Sequence, residues 1–377
     1  MTKIAIIGSA GVPSKYGGFE TLAHQLVNHL ADKHEISVYC SKNVYTDADR
    51  KKNWNNANLI YVPLNANGVQ SVPYDIFSIL HALIYADTLL ILGVSGCIIL
   101  PLIKLFFKKT IIVNIDGVEW KREKWQGFAK KFLQFSEKIA VKYADIVVAD
   151  NKGIQEHVQK MYNREAKLIA YGSDHVITNH ELKSEFKEMY PFLIEEYAFK
   201  VCRIEPENNV HLILSAFSKM PDKSLVIVGN WNISQYGSDL KKQYSKFDNI
   251  HLYDPIYNQK LLDLLRSNCS LYVHGHSPGG TNPSLVEAMY LGLPIFAFDV
   301  NYNVYTTEGQ ALYFSNEADL IETIQSVSFY SLRSYGTNMQ QIAKNKYTWK
   351  QIACTYEEII LGVNQPVSKT NVQVSTT

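Results

Sequence analysis

Residues 274–291 read HGHSPGGTNPSLVEAMYL and combine the parts of an anion-binding site. The apolar run 269–273 stops at a polar loop carrying Gly279 and Gly280, and Asn282-Pro283 then opens a helix. Asn is a favourable N-cap, and Pro suits the first helical position because its missing N–H would have no partner there. Paired glycines let backbone approach a ligand just ahead of unpaired helix N–H groups, and such an end attracts phosphate. Glu287 lies about one turn further in, where a carboxylate can accept two hydrogen bonds from ribose hydroxyls. Ser284-x-x-Glu287 also reads as a capping box, a purely structural device that is compatible with the first reading. A second pair, Gly17-Gly18, precedes a helix near the amino terminus and suits either close approach to a charged group or a simple turn.

Both glycine pairs need strands and helices to aim them. In the first half, apolar runs at 4–7, 36–40, 59–62, 89–92, 111–115, 146–149 and 167–170 read as short buried strands. Helical patterns fall at 19–31, 76–85, 98–107 and 128–143. After an irregular polar stretch at 172–197 the theme repeats, with strands at 199–204, 225–228, 250–253, 269–273 and 293–298. Helices are expected at 210–220, 238–244, 259–267, 317–326, 331–345 and 349–361. Continuous apolar strands alternating with helices imply a parallel, doubly wound sheet, and ligands bind such sheets at the carboxyl ends of strands. The reading is therefore α/β, with two Rossmann-like domains at 1–172 and 173–362 facing a cleft. The last helix is expected to pack back on the first domain, and the polar tail 363–377 is expected to be disordered.

Composition excludes several classes. The 377 residues are 46% hydrophobic and 19% charged, with a formal net charge of +1, which describes a globular chain with no global case for nucleic acid. The five cysteines are scattered without a C-x-x-C pair, which favours buried free thiols over disulfides or zinc. His274 and His276 alternate but lack a third ligand, so they read as loop or site-edge residues and no metal or other cofactor is expected. The loop after the first strand is not G-x-G-x-x-G, which disfavours dinucleotide binding. Residues 89–107 have the hydropathy of a membrane span, yet Pro101 and Lys104 fall inside it. A buried strand, a glycine turn and a mostly buried helix are the better reading.

Four segments in order resemble the retaining GT-B glycosyltransferases of family 4. Gly17-Gly18-Phe19-Glu20 is similar to that family's GG-x-E helix start, and Tyr171-Gly172-Ser173-Asp174 to its inter-domain N-G-x-D. The segment from Val201 through Arg203 to Asn208 resembles G-R-L-x-x-E-K, and residues 274–291 resemble the E-x7-E region. The first glutamate of E-x7-E falls on Gly279, and the lysine of the arginine motif falls on Asn208. DG-x-EW, GGTNPS and R-x-x-PENN further resemble bacterial rhamnosyltransferases of polysaccharide assembly, of the β-1,4 type.

The resemblance implies transfer of L-rhamnose from dTDP-L-rhamnose to a lipid-linked saccharide acceptor, at the cytoplasmic face of the bacterial membrane. Arg203 would clamp the diphosphate, with Gly18, Gly280 and Thr281 supplying backbone or hydroxyl hydrogen-bond donors, and Gly17, Asn208, Gly279, Asn282 and Ser284 would complete the nucleotide-sugar site. Glu287 would hold the ribose, and Tyr253 and Ile256 would line the base pocket. Asp116 stands where the family places a histidine near the sugar. It and Glu119 are the candidates for orienting the acceptor hydroxyl or taking its proton, and Glu119 could instead pair with Lys121 or Arg122. Other readings stay open: a UDP- or GDP-sugar donor, a GT-B sugar-nucleotide epimerase, and a non-catalytic nucleotide-sugar-binding homologue.

One further stretch is unusual. Residues 101–142 carry ten Lys or Arg against four Asp or Glu, a local charge of +6. Trp125, Phe128, Phe132 and Phe135 follow helical spacing within it. Either a helix lies there on an anionic leaflet, or the aromatic stripe is buried against its own sheet with the lysines solvated outside.

Overall fold

A computed structural model describes residues 1–15, 17–121, 127–178, 181 and 183–363. Trp125 and Arg122 of the basic stretch, and the tail from 364, lie outside the described residues.

The first domain contains β1 (Lys3–Ile7), α1 (Gly18–Leu30), β2 (Glu35–Ser41), β3 (Asn53–Trp54), β4 (Ala57–Val62), α2 (Ser71–Ala82) and β5 (Thr88–Leu92). It continues through α3 (Leu100–Phe106), β6 (Thr110–Asn114), α4 (Gly127–Tyr143), β7 (Ile146–Ala149), α5 (Lys152–Tyr162) and β8 (Lys167–Leu168). Its sheet runs β3-β4-β2-β1-β5-β6-β7-β8, parallel except for the β3–β4 pair. Every residue of β5 is buried, as expected for a strand covered on both faces. Helix α1 turns Leu22, Ala23, Leu26, Val27 and Leu30 onto one face of the sheet. Helices α2 to α5 cover the other face.

The second domain begins with α6 (Ser184–Met189), β9 (Tyr197–Val201), α7 (Val210–Ser218), β10 (Ser224–Val228) and α8 (Gln235–Tyr244). Next come β11 (Ile250–Tyr253), α9 (Gln259–Ser267), β12 (Leu271–His274), α10 (Pro283–Tyr290) and β13 (Ile295–Phe298). It ends with α11 (Asn301–Thr306), β14 (Leu312–Phe314), α12 (Glu317–Ser326), α13 (Phe329–Lys346) and α14 (Trp349–Val363). All pairs in its sheet, ordered β11-β10-β9-β12-β13-β14, are parallel. Helix α14 packs against α1 and β6 of the first domain. Asn114 Nδ2 donates to Tyr356 Oη at 2.9 Å, and Asp174 accepts the Trp349 N–H at 2.6 Å where the chain crosses between domains.

Strand order reverses between β1 and β5 in one sheet and between β9 and β12 in the other. Loops leaving such neighbours diverge and open a crevice. The glycine loop before α1 follows β1, the Arg203 segment follows β9, and the Gly279 loop follows β12. Three of the four resemblance motifs therefore stand at switch points.

Several elements differ from the sequence reading. Helix α5 was not anticipated, because Ile154 and Val158 are its only fully buried side chains and make too thin a stripe. Strand β14 lies beyond β13, which the reading took as the last of the parallel set. The strand expected at 167–170 is only Lys167–Leu168. The helix expected to be mostly buried at 98–107 is α3, which buries Leu100 and Ile103 but exposes Leu102, Leu105, Phe106 and the following Phe107. One apolar stripe suffices to hold seven residues on a sheet, so the rest point outward.

Candidate active site

The two helix N-termini expected to bind anions meet where the two domains come together. Gly17 precedes α1 and accepts a hydrogen bond from Thr21 Oγ1 on its carbonyl at 2.9 Å. A Cβ on Gly18 would lie 3.4 Å from the Pro283 ring at the start of α10, and equally close to Tyr171 Oη. Helix α10 is capped by Asn282, whose Oδ1 accepts the Ser284 N–H at 3.0 Å and the Ser284 hydroxyl at 2.8 Å. The capping-box reading of Ser284 and Glu287 is corrected: Asn282 holds the cap position, and Glu287 turns to other partners.

Those partners make a buried charge cluster. Glu287 Oε2 meets Arg266 Nη1 at 2.5 Å, and Glu287 Oε1 meets His175 Nε2 at 3.2 Å. Trp349 Nε1 donates to His175 Nδ1 at 2.9 Å, so the His175 proton sits on Nε2 and points at Glu287. Burial alone would push the Glu287 carboxyl up, but Arg266 and His175 overcome it and hold the group at about 2. Arg266 is fully buried from α9, and His175 comes from the inter-domain segment. Neither was picked out in the sequence, where each is a lone charged or polar residue with no motif around it.

The domains touch through small residues. A Cβ on Gly117 would overlap the Gly279 backbone, and one on Gly280 would overlap the Asp150 carboxylate. Only glycine permits either approach. Thr281 Oγ1 donates to the Asp150 carbonyl at 2.6 Å, while Asn151 Nδ2 reaches Thr281 Oγ1, the Tyr302 carbonyl and Thr306 Oγ1 at 3.1–3.3 Å. Asp150 and Asn151 leave the carboxyl end of β7, and that position was the available signal for them.

Beside this contact lie Asp116, Glu20, Tyr171 and Arg203. Asp116 has a φ of 59° and donates its N–H to Asn114 Oδ1 at 3.1 Å. Glu20 accepts the Ala10 N–H at 2.7 Å. Burial raises the Glu20 carboxyl pKa, the Ala10 bond opposes that, and the charges of Asp116 (raising) and Arg203 (lowering) also act on it. Burial likewise raises the Tyr171 hydroxyl, with Asp116, Asp150 and Glu20 adding to the effect. Glu20 thus lies within reach of one charge from each domain, Asp116 and Arg203. Glu119 opens a short turn three residues beyond Asp116, leading to the undescribed residues 122–126.

Asn208 is buried and spans the two C-terminal switch-point loops. Its Nδ2 donates to the Arg203 carbonyl, and its Oδ1 meets His276 Nδ1, both at 2.8 Å. It therefore sets the position of the Arg203 loop. His274 and His276, read as loop or edge residues, are both buried, and His274 ends β12 itself. Burial, then the charges of Lys200 and His276, lowers the His274 pKa well below the ordinary histidine range, so a neutral ring is tolerated inside. Tyr253 ends β11 with its ring against Tyr190 and Phe192, at 5.4 and 5.6 Å between centroids. Ile256 is half-buried just beyond it. Among the described residues, no group of three or more His, Cys, Asp or Glu side chains is placed to hold a metal ion.

Comparisons with known proteins fit this geometry. Residues 183–327 match the model for glycosyl transferases group 1, and residues 1–174 match a domain of unknown function, DUF1972. No curated protein matches the chain. Sucrose-phosphate synthase from Thermosynechococcus elongatus superposes with a TM-score of 0.81 at 16% identity, covering 97% of this chain and 99% of that one. HepE from Anabaena, in complex with UDP, gives 0.74 at 14% identity, over 96% and 100%. Trehalose 6-phosphate synthase from Burkholderia multivorans gives 0.71 at 11%, over 96% and 97%. The fold is thus that of the GT-B glycosyltransferases, two parallel-sheet domains, and its C-terminal part matches the group 1 glycosyl transferase model.

Proposed function

We propose that this enzyme transfers L-rhamnose from dTDP-L-rhamnose to a lipid-linked saccharide acceptor, in bacterial cell-surface polysaccharide assembly, while bound peripherally at the cytoplasmic face of the membrane. The observation that carries the transferase reading is the pair of helix N-termini, at Gly18 and Pro283, meeting between the two domains near Arg203. As the acceptor oxygen bonds to the anomeric carbon, the bond from that carbon to the diphosphate breaks and its electron pair goes to the leaving phosphate. Helix dipoles, unpaired N–H groups and a guanidinium are suited to that charge. Asp116 orients the acceptor hydroxyl or takes its proton, with Glu119 as the other candidate. Retention of configuration, the rhamnosyl donor and the lipid-linked acceptor rest on the resemblance of DG-x-EW, GGTNPS and R-x-x-PENN.

A UDP-sugar donor is the second reading, favoured by the fold shared with HepE, one structure of which holds UDP-glucose. Titration with dTDP, UDP and GDP by calorimetry separates the two. Preference for dTDP, lost in Arg203→Ala, followed by turnover of dTDP-L-rhamnose, is the expected result. Preference for UDP or GDP sinks the rhamnosyl assignment, and no binding to any of the three sinks the transferase.

A further inference from the structure

We infer that the outer face of α2, α3 and α4 docks on an anionic lipid bilayer, which specifies the membrane-bound part of the proposed function. The helices lie side by side on one face of the N-terminal sheet, with α3 packed against α4. Each buries one stripe and leaves large apolar side chains on the other. On α3, Leu102, Leu105 and Phe106 are 61%, 73% and 72% exposed. Phe128, at the start of α4, is 84% exposed, and Phe135 stands two turns further along. Helix α2 adds Phe77 and Leu80. Of the described members of the aromatic stripe, Phe132 packs partly against the core, while Phe128 and Phe135 face outward.

An apolar face of this kind has many conceivable occupants, and charge selects one. The exposed ionisable side chains among the described residues of 100–142 are all basic: Lys108, Lys121, Lys130, Lys131, Lys138 and Lys142. The three described carboxylates there are not exposed: Asp116 and Glu119 are partly covered, and Glu137 is buried, accepting from Trp120 Nε1 and Tyr162 Oη. Aromatic and leucine side chains flanked by lysines, on helices lying along a surface, fit the boundary between acyl chains and anionic headgroups. Lysine stems can lie along the apolar patch while their ammonium groups reach phosphate. No described helix is long and apolar enough to cross a membrane, so docking leaves the fold outside the bilayer. Helix α4 is the next helix in the chain after the segment that carries Asp116 and Glu119.

The test is co-sedimentation of the full-length protein with vesicles of phosphatidylcholine alone, or mixed with phosphatidylglycerol. Two variants accompany it: Leu102→Gln/Leu105→Gln/Phe106→Gln, and Lys130→Glu/Lys131→Glu. The expected result is binding to the phosphatidylglycerol vesicles only, weakened about tenfold or more by either variant. Thermal melting and nucleotide titration should match the parent, which shows that the variants are folded. Absence of binding by the parent chain, or equal binding by parent and variants, would overturn the inference. So would a dimer in sedimentation velocity that the leucine variant dissociates without any vesicle binding, since the face would then be a protein interface. The vesicles contain no donor or acceptor, so this outcome is independent of the nucleotide titration that tests the proposed function.

Discussion

On the C-terminal side of the cleft, Glu287 is surrounded by partners from its own domain and the inter-domain segment: Arg266 at 2.5 Å and His175 at 3.2 Å. On the N-terminal side, burial and the Ala10 N–H act most on Glu20, and Arg203 of the opposite domain adds a smaller lowering charge. One side balances its charge internally, and the other is tuned across the gap. The first arrangement favours a rigid, preformed pocket, because buried charges held by fixed partners resist displacement. The second ties the state of the carboxylates to how the domains meet. Substitutions on the two sides should therefore differ in kind, with stability lost on one and turnover on the other.

The sharpest contrast comes from Glu287→Gln. It leaves Arg266 buried with much less compensation, and should cost about 3–5 kcal/mol in denaturant unfolding. The acid limb provides a second readout. Because the folded Glu287 carboxyl is held at about 2, below its ordinary 4.5, its contribution is complete above that ordinary value. It is lost as pH falls from there toward 2, and the Gln variant should lack this part of the acid dependence. Next is Arg203→Ala, expected to lower turnover about 10²–10³-fold with little change in unfolding, since its side chain is partly exposed. Equal losses of stability in both variants would erase the distinction between the internally paired Glu287 and the arginine whose charge acts across the domains.

Gly280→Ala probes the junction itself. Its methyl group must displace the Asp150 carboxylate, at a cost of about 1–3 kcal/mol. Asp150→Gly should recover part of that loss, and a double-mutant cycle measures the coupling; strict additivity would mean that the two residues do not meet in solution. The smallest effect is expected for Asn282→Ala, about 1 kcal/mol from losing the α10 cap, read from thermal unfolding.

Much of the architecture was legible before any coordinates. Runs such as Leu89–Leu92 cannot face water on either side, and their alternation with helices leaves few topologies beyond a parallel doubly wound sheet. Asn282-Pro283 marked the start of α10 because capping depends on residues adjacent in the chain. The thin stripe of α5 and the short β14 were not legible, because only packing against neighbours stabilises elements with so few buried residues. In the site, Gly18, Gly280, Asp116 and Arg203 could be named from loop position and motif. That Gly280 meets Asp150, and that Asn208 links Arg203 to His276, could not.

The sequence by itself determined the periodicities, the caps, the glycine loops and the surplus of lysine between 101 and 142. Each depends on residue types within a few positions of one another. Tertiary structure alone decided that Glu287 pairs with Arg266 and His175, that Glu20 lies under the charges of both domains, and that α3 turns three large apolar side chains outward. Those outcomes depend on distances between residues far apart in the chain. Such distances exist only once the sheets have formed and the two crossings at Ser173 and Trp349 have brought the domains together.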